Sequence, residues 1–364
     1  MRIGKLTLDG YFNYGNVLQN YALEQVLKKY GDVDCLWHMP DNFLPRVWYQ
    51  WSWKEPVKFI LNWRGFRSEL FSDMHGMEMV RQGKIKDWCD RYINLRQAEG
   101  KLSQLIDEYD FFVVGSDQVW NPFFSHVENC FLFFAPEEKR IAYAASISCP
   151  DLPDEKIDLY RKGFAGMAHI SMREQQGADM VKELNGRDVP VVVDPTLLLA
   201  ADDWRKVSRQ PAWYHGGDYI LTYFLGERPA VVARLARETG LKVVNLLDKE
   251  VYEHYVTGPD EFLWAIEHAK LMYTDSFHGT VFSIIFRTPF VVCNRIGSAV
   301  EEKMGSRIDT LLGYFGLEAR RGTKANGYAL ENPLAAPDWS KVDEVLAREK
   351  ARSDAYLRQA LRVA

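Results

Sequence analysis

Short apolar runs alternate with helix-patterned segments along almost the whole chain, and that alternation constrains the fold more than any other feature. A strand, a helix and a second parallel strand build a parallel sheet with helices on its faces. Residues 3–8 read as the first strand. A glycine-flanked polar loop at 10–15 follows, and Asn16 is placed to cap a helix over 17–30 that Gly31 closes. Val17, Leu18, Tyr21, Val26 and Leu27 give that helix its apolar stripe. Later strands are expected at 33–37, 111–114, 141–145, 169–172 and 191–193, with 179–184 in a helix between the last two. After an irregular stretch at 208–217 the rhythm restarts. Strands are expected at 219–225, 243–246, 271–273 and 290–293, with helices at 229–239, after His278, and at 338–362. The restart predicts two sheets and two domains, 1–207 and 208–364, with the charged last helix placed to pack back on the N-terminal domain.

The 364 residues suffice for two domains of ordinary size. A chain 47% hydrophobic and 26% charged buries a core and is not disordered. With 45 Lys+Arg against 50 Asp+Glu the net charge is -5, which argues against nucleic acid as the partner. Cys35, Cys89, Cys130, Cys149 and Cys293 are dispersed, with no C-x-x-C pair. That pattern opposes a disulfide scaffold or zinc site and fits a reducing cytoplasm, so no metal is expected. The N-terminus opens on a strand pattern without a signal-peptide core, and no run approaches the ~18–20 apolar residues of a bilayer span.

Segment 45–70 breaks the rhythm. It interleaves Trp48, Tyr49, Trp51, Trp53, Phe59, Trp63 and Phe66 with Arg46, Lys54, Lys58, Arg64 and Arg67. Such a mixture suits a membrane–water interface and would hold a cytoplasmic protein peripherally at the inner face of a membrane. The competing reading is an insertion packing its rings on the first domain.

Four polar clusters fall where strands should end. Asn13, Tyr14, Asn16 and Gln19 follow the first strand, and a helix start there offers free N–H groups to an anion or a sugar hydroxyl. Asp117, with Gln118 and Asn121, follows the strand at 111–114. Its carboxylate can accept hydroxyl hydrogen bonds or act as a base, or simply close an Asx turn. Arg173-Glu174 follows the strand at 169–172, where an arginine can grip a carboxylate or phosphate. The fourth cluster is Asp275-Ser276-Phe277-His278-Gly279, between a short apolar strand and an apolar helix. A histidine at such a helix mouth is a candidate for proton transfer. Ser276 and His278 do not make a hydrolase, because there is no G-x-S-x-G elbow. Arg307, in Gly305-Ser306-Arg307-Ile308-Asp309, sits near another helix start.

Together these pieces resemble the polysaccharide pyruvyl transferase family. The match runs through Asn13-Tyr14-Gly15-Asn16, Gly115-Ser116-Asp117-Gln118-Val119-Trp120-Asn121, Arg173-Glu174, Val193-Asp194-Pro195-Thr196 and Asp275-Ser276-Phe277-His278-Gly279. The resemblance implies an α/β fold of two Rossmann-like domains facing a cleft, similar to GT-B glycosyltransferases. It implies transfer of a pyruvyl group from phosphoenolpyruvate to two hydroxyls of one sugar, as a cyclic ketal, on a surface glycan or its lipid-linked precursor. Phosphoenolpyruvate is then a donor substrate, and no cofactor is needed. His278 matches the family's general acid/base and Arg173 its donor ligand. Many members carry Arg-Leu-His where this chain reads Ser276-Phe277-His278. One implied cation is therefore missing: either Arg307 or Arg295 replaces it, or the donor is handled differently. Ser276 and Gly279 complete the donor side, with Asp117 beside His278 in catalysis. Two other readings stand beside this one: a GT-B glycosyltransferase using a nucleotide sugar, and a non-catalytic glycan-binding protein.

Overall fold

A computed structural model of the chain describes residues 1–37, 73–98, 101–124, 127–296 and 305–363. Segment 45–70 lies outside the described residues. The strands are β1 (Arg2–Leu6), β2 (Asp32–Trp37), β3 (Leu95–Gln97), β4 (Phe111–Asp117), β5 (Arg140–Ala145), β6 (His169–Met172), β7 (Tyr219–Tyr223), β8 (Lys242–Asn245), β9 (Leu271–Thr274), β10 (Phe290–Cys293) and β11 (Arg321–Gly322). The helices used below are α1 (Tyr14–Leu27), α2 (Asp73–Tyr92), α3 (Ile157–Ala165), α4 (Gln175–Asn185), α5 (Val231–Thr239), α6 (Pro259–Glu267), α7 (Phe277–Phe286), α8 (Ser306–Phe315) and α9 (Trp339–Ala360).

The strands form two parallel sheets. The first has the order β3-β2-β1-β4-β5-β6 and the second β11-β10-β9-β7-β8. Both are doubly wound orders of Rossmann-like folds, and each has one switch point where the winding reverses. These lie between β1 and β4 and between β7 and β9. Ligands of such sheets bind outside the carboxyl ends of the switch-point strands.

Several local expectations need correction. The cap of α1 is Asn13, whose side chain accepts from the Gly15 N–H, and not Asn16, which lies inside the first turn. Residues 191–193 are not a strand. Val191 makes one bridge to Met172, and the chain then turns into the 3-10 segment Pro195–Leu198. β3 and β11 have three and two residues, too short to show a period.

One of three hydrophobic clusters among the described residues spans both sheets. Tyr14 of α1 stacks on Phe262 of α6 with centroids 4.8 Å apart, and Trp204 meets Phe282 of α7 edge-on at 4.8 Å. Each fully buried ring of this kind contributes roughly 1.5–3 kcal/mol, which holds α1 against the second unit. α9 returns to the first sheet. Its Tyr356 hydroxyl donates to Ala142 O at 2.7 Å, and Asp354 accepts from Tyr30 of the loop after α1.

Candidate active site

The second unit presents His278 through a tightly laced turn. As β9 ends, both carboxylate oxygens of Asp275 accept backbone N–H groups, from Leu225 and Gly226, at 2.8 Å each. That ties the β9 exit to the β7 exit across the switch point. Ser276 then caps α7, its Oγ accepting from Gly279 N at 3.2 Å. A Cβ on Gly279 would lie 2.9 Å from Met272 Cε and 3.0 Å from Thr274 Oγ1, so glycine lets α7 pack closely on β9 without displacing these side chains. Phe277 and His278 are left on the first turn, facing the first unit. There α1 makes room for the imidazole, because a Cβ on Gly15 would sit 2.0 Å from His278 Nδ1.

On the other side, buried charges form a chain across both units. Arg173 donates Nη2 to Asp117 Oδ1 at 3.0 Å and Nη1 to Asp194 Oδ2 at 2.8 Å. Asp194 Oδ2 also lies 3.5 Å from His278 Nε2, a ring nitrogen that is buried without a hydrogen-bond partner. Asp194 Oδ1 accepts from the Thr196 N–H and hydroxyl at 3.0 and 2.7 Å. Burial alone would raise the Asp194 carboxyl, but His278, Arg173 and Thr196 outweigh it and hold it far below the usual carboxylate range. Asp117 is lowered in the same way: burial opposes ionisation, and Arg173, His278 and Arg307 prevail. For Arg173 the burial that would lower its pKa is outweighed by Asp117 and Asp194, and the pKa rises. The result is a fixed cation between two carboxylates, with an imidazole at one end.

Arg307, in the first turn of α8, faces the same spot. The Phe277 ring serves both guanidiniums, its centroid 4.6 Å from Arg173 Cζ and 5.8 Å from Arg307 Cζ. Arg307 is buried and forms no ion pair among the described residues, and its Nε, like that of Arg173, has no hydrogen-bond partner. Burial, and then repulsion from Arg173, push its pKa down to about 10. Arg295 is engaged elsewhere, its Nε 3.5 Å from Asp275 Oδ2. With Asp194, Phe277 and Tyr314, the two arginines enclose a cavity of about 10 Å³, near the minimum for one water.

The polar residues after β1 and β4 divide into two groups. Tyr14 is fully buried and donates its hydroxyl to Thr257 O at 2.6 Å. Gln19, also fully buried, donates to Thr7 Oγ1 at 2.8 Å and accepts from Ser116 N at 2.9 Å, and Asn16 donates to Leu8 O at 2.9 Å. Gln19 and Asn16 hold α1 to the ends of β1 and β4, and Tyr14 ties it to the turn before α6. Asn13 and Gln118 are half-buried at the surface. Asn121 is buried, donates to Gln118 Oε1 at 2.8 Å and accepts from Phe123 N at 3.0 Å. Among the described residues, no group of three or more His, Cys, Asp or Glu side chains could hold a metal.

Two contributors lacked a role in the sequence reading. Asp194 appears there only within Val193-Asp194-Pro195-Thr196, where a Pro after Asp signals a turn and hides the carboxylate's long-range partners. Glu174 is buried, and its Oε1 accepts from Ser146 Oγ, Ile147 N and Ser148 N at 2.9, 3.0 and 3.3 Å. It thereby fixes the loop after β5 beside the arginines.

Fold and site together define an α/β protein with its chemistry at facing switch points of two parallel sheets. The chain belongs to the polysaccharide pyruvyl transferase family, whose profile matches residues 13–296. Human slow-type myosin-binding protein C is 28% identical over 117 residues, 29% of this chain and 10% of that protein, so the chain spans a tenth of that relative's length. Among solved structures, a putative UDP-N-acetylglucosamine 2-epimerase from Listeria monocytogenes is 10% identical, covering 99% of this chain and 91% of its own, with a TM-score of 0.48. MurG from Acinetobacter baumannii is 10% identical over 98% of this chain and 94% of its own, with a TM-score of 0.38. Neither likeness is strong enough to bear on mechanism. No helix among the described residues is long and apolar enough to cross a membrane.

Proposed function

We propose that the protein transfers the pyruvyl group of phosphoenolpyruvate to two hydroxyls of one sugar of a surface glycan or its lipid-linked precursor, leaving a cyclic ketal. The observation that carries this reading is the pair Arg173 and Arg307, buried around one ring beside His278. Two guanidiniums held together in a buried place suit a small ligand with two anionic groups. Phosphoenolpyruvate has a carboxylate and a phosphate. The cavity they line has room for about one water.

In the reaction, His278 gives a proton to the donor's methylene carbon, and C2 becomes an oxocarbenium-like centre. A sugar hydroxyl attacks C2 and returns its proton to His278. The C2–O bond to phosphate then breaks, a second hydroxyl closes the ketal, and its proton passes to the departing phosphate, which leaves as hydrogen phosphate. Asp194 steadies the protonated imidazole, while Arg173 and Arg307 neutralise the donor. Acid–base help of this kind is worth roughly 10²–10⁴-fold. Asp117, held ionised by Arg173, is suited to accepting a hydrogen bond from an acceptor hydroxyl.

The test is phosphate release from phosphoenolpyruvate by the purified protein with and without methyl hexopyranosides or an oligosaccharide acceptor. Release should require acceptor, and His278→Ala should stop it. A variant with full activity would remove His278 from the mechanism. A thermal shift with UDP- or dTDP-sugars and none with phosphoenolpyruvate would move the assignment to glycosyl transfer.

A further inference from the structure

Arg81 of α2 is only 5% exposed, yet it takes no part in the proposed reaction. Its Nε donates to Glu78 Oε2 at 3.0 Å and its Nη2 to Glu78 Oε1 at 2.9 Å. Nη2 also donates to the Phe12 carbonyl at 3.2 Å, next to Asn13, the cap of α1. The guanidinium carbon stands 5.7 Å from the ring centroid of Tyr14, the first residue of α1, and 5.7 Å from that of Tyr255 in the second unit. Glu78 completes the arrangement. Its Oε2 also accepts from the Tyr255 hydroxyl at 2.9 Å, and its Oε1 from Gln82 Nε2 at 2.7 Å. Burial opposes ionisation of Glu78, but Arg81, Gln82 and Tyr255 outweigh it and hold the carboxyl below its usual value.

A buried Arg–Glu pair is a poor source of stability, because desolvation offsets most of the attraction. What it supplies is geometry. A guanidinium forked on one carboxylate has a fixed plane, and here it grips the Phe12 peptide and faces the Tyr14 ring. Tyr14 also stacks on Phe262, and its hydroxyl reaches Thr257 O. Gly15 comes next in the chain, and His278 Nδ1 lies 2.0 Å from where a Gly15 Cβ would be. We infer that Arg81 is a positioning residue for His278: held by Glu78, it sets where α1 begins, and the Gly15 backbone then sets where the imidazole lies relative to Asp194. The kinetic side of this assignment rests on the proposed acid–base role of His278.

Variants of the full chain test it. Arg81→Lys keeps a cation but loses the fork. Glu78→Gln/Arg81→Met removes both charges, so that no carboxylate is left buried alone. Lys84→Met is the control, since it breaks another bond from α2 to the second unit, Lys84 Nζ to Glu261 Oε2 at 2.8 Å, that involves no residue of α1. With phosphoenolpyruvate and acceptor, kcat should fall about 10–100-fold in both Arg81 variants, with KM for phosphoenolpyruvate within about 3-fold of wild type; Lys84→Met should keep kcat within about 2-fold. In proton–carbon NMR spectra the His278 Cε1–H resonance, assigned by its loss in His278→Ala, should move in both Arg81 variants and stay in place in Lys84→Met. An unmoved His278 resonance in the Arg81 variants overturns the inference whatever their Tm, because Arg81 would then be a packing residue. So does an equal fall of kcat in Lys84→Met, which would make contact between the units in general the cause. Absence of turnover in the wild type would count against the proposed reaction, and the resonance would still decide the placement of His278.

Discussion

Arg307→Met separates a residue kept for binding from one kept for folding. Burial and the Arg173 charge push the Arg307 pKa down to about 10, so the charged form is held at a cost of roughly 3 kcal/mol. The Phe277 face offsets roughly 0.5–2 kcal/mol of that. Methionine keeps a linear stem and removes the charge, so the variant should be more stable by roughly 1–2 kcal/mol. In a chain of 364 residues that raises Tm by roughly 1–3 °C. Phosphoenolpyruvate reverses the order. At about 100 times Kd the wild type should gain about 2.7 kcal/mol and the variant almost nothing. Differential scanning fluorimetry with and without phosphoenolpyruvate reads both effects, and the two melting curves should change rank. A variant that melts several degrees lower without donor would show that Arg307 is a packing residue. One that gains as much as the wild type from donor would place the anion elsewhere.

Three further perturbations probe the surroundings of His278. Gly15→Ala removes a helix glycine at a nominal gain of about 1 kcal/mol, yet its Cβ would lie 2.0 Å from His278 Nδ1. Phosphate release should fall about 10²-fold or more while Tm changes by only about 2 °C, and unchanged turnover would disprove the close packing. Asp194→Asn takes the carboxylate from both Arg173 and His278; turnover should drop about 10²-fold or more, with about 1–3 kcal/mol lost in urea unfolding. The pH dependence follows from the same carboxylate. Its folded pKa is depressed, so its contribution is fully present above the unfolded value of 3.8 and is lost as pH falls through the folded one. The wild-type advantage over Asp194→Asn should be constant from about pH 5 to 7 and shrink below about pH 4; growth of that difference in acid would contradict the assignment.

The sheet architecture was readable because parallel strands buried on both faces leave continuous apolar runs between turn residues. β4 and β9 show this, as does the α7 run from Phe277 to Phe286. Edge strands β3 and β11 were invisible, having too few residues for any period and no buried face of their own. Within the site, Arg173 and His278 were marked by position, each just beyond a strand. Their partners were not. Asp194 and His278 are far apart in sequence, and only the shared core between α1, α6 and α7 brings them within 3.5 Å. The buried state of Tyr14, Asn16 and Gln19 was hidden for a related reason. Polar side chains in a loop motif look like ligands until the elements they tie together are known.

The same geometry explains how this chain manages without an arginine at Ser276. As the cap of α7, Ser276 accepts the Gly279 N–H, an interaction worth about 1 kcal/mol that an arginine side chain cannot supply. Under the proposed reaction the cation would come instead from α8, whose first turn places Arg307 Cζ 5.8 Å from the Phe277 centroid. Leucine at 277, as many relatives have, would offer no π face to hold a second guanidinium near Arg173. Phenylalanine does, with both Cζ atoms within 6 Å of its centroid. Serine at 276, phenylalanine at 277 and arginine at 307 thus work as one set. The first starts the helix that carries His278, the second gives two buried cations one π face, and the third, on the proposed reading, supplies the charge absent at position 276.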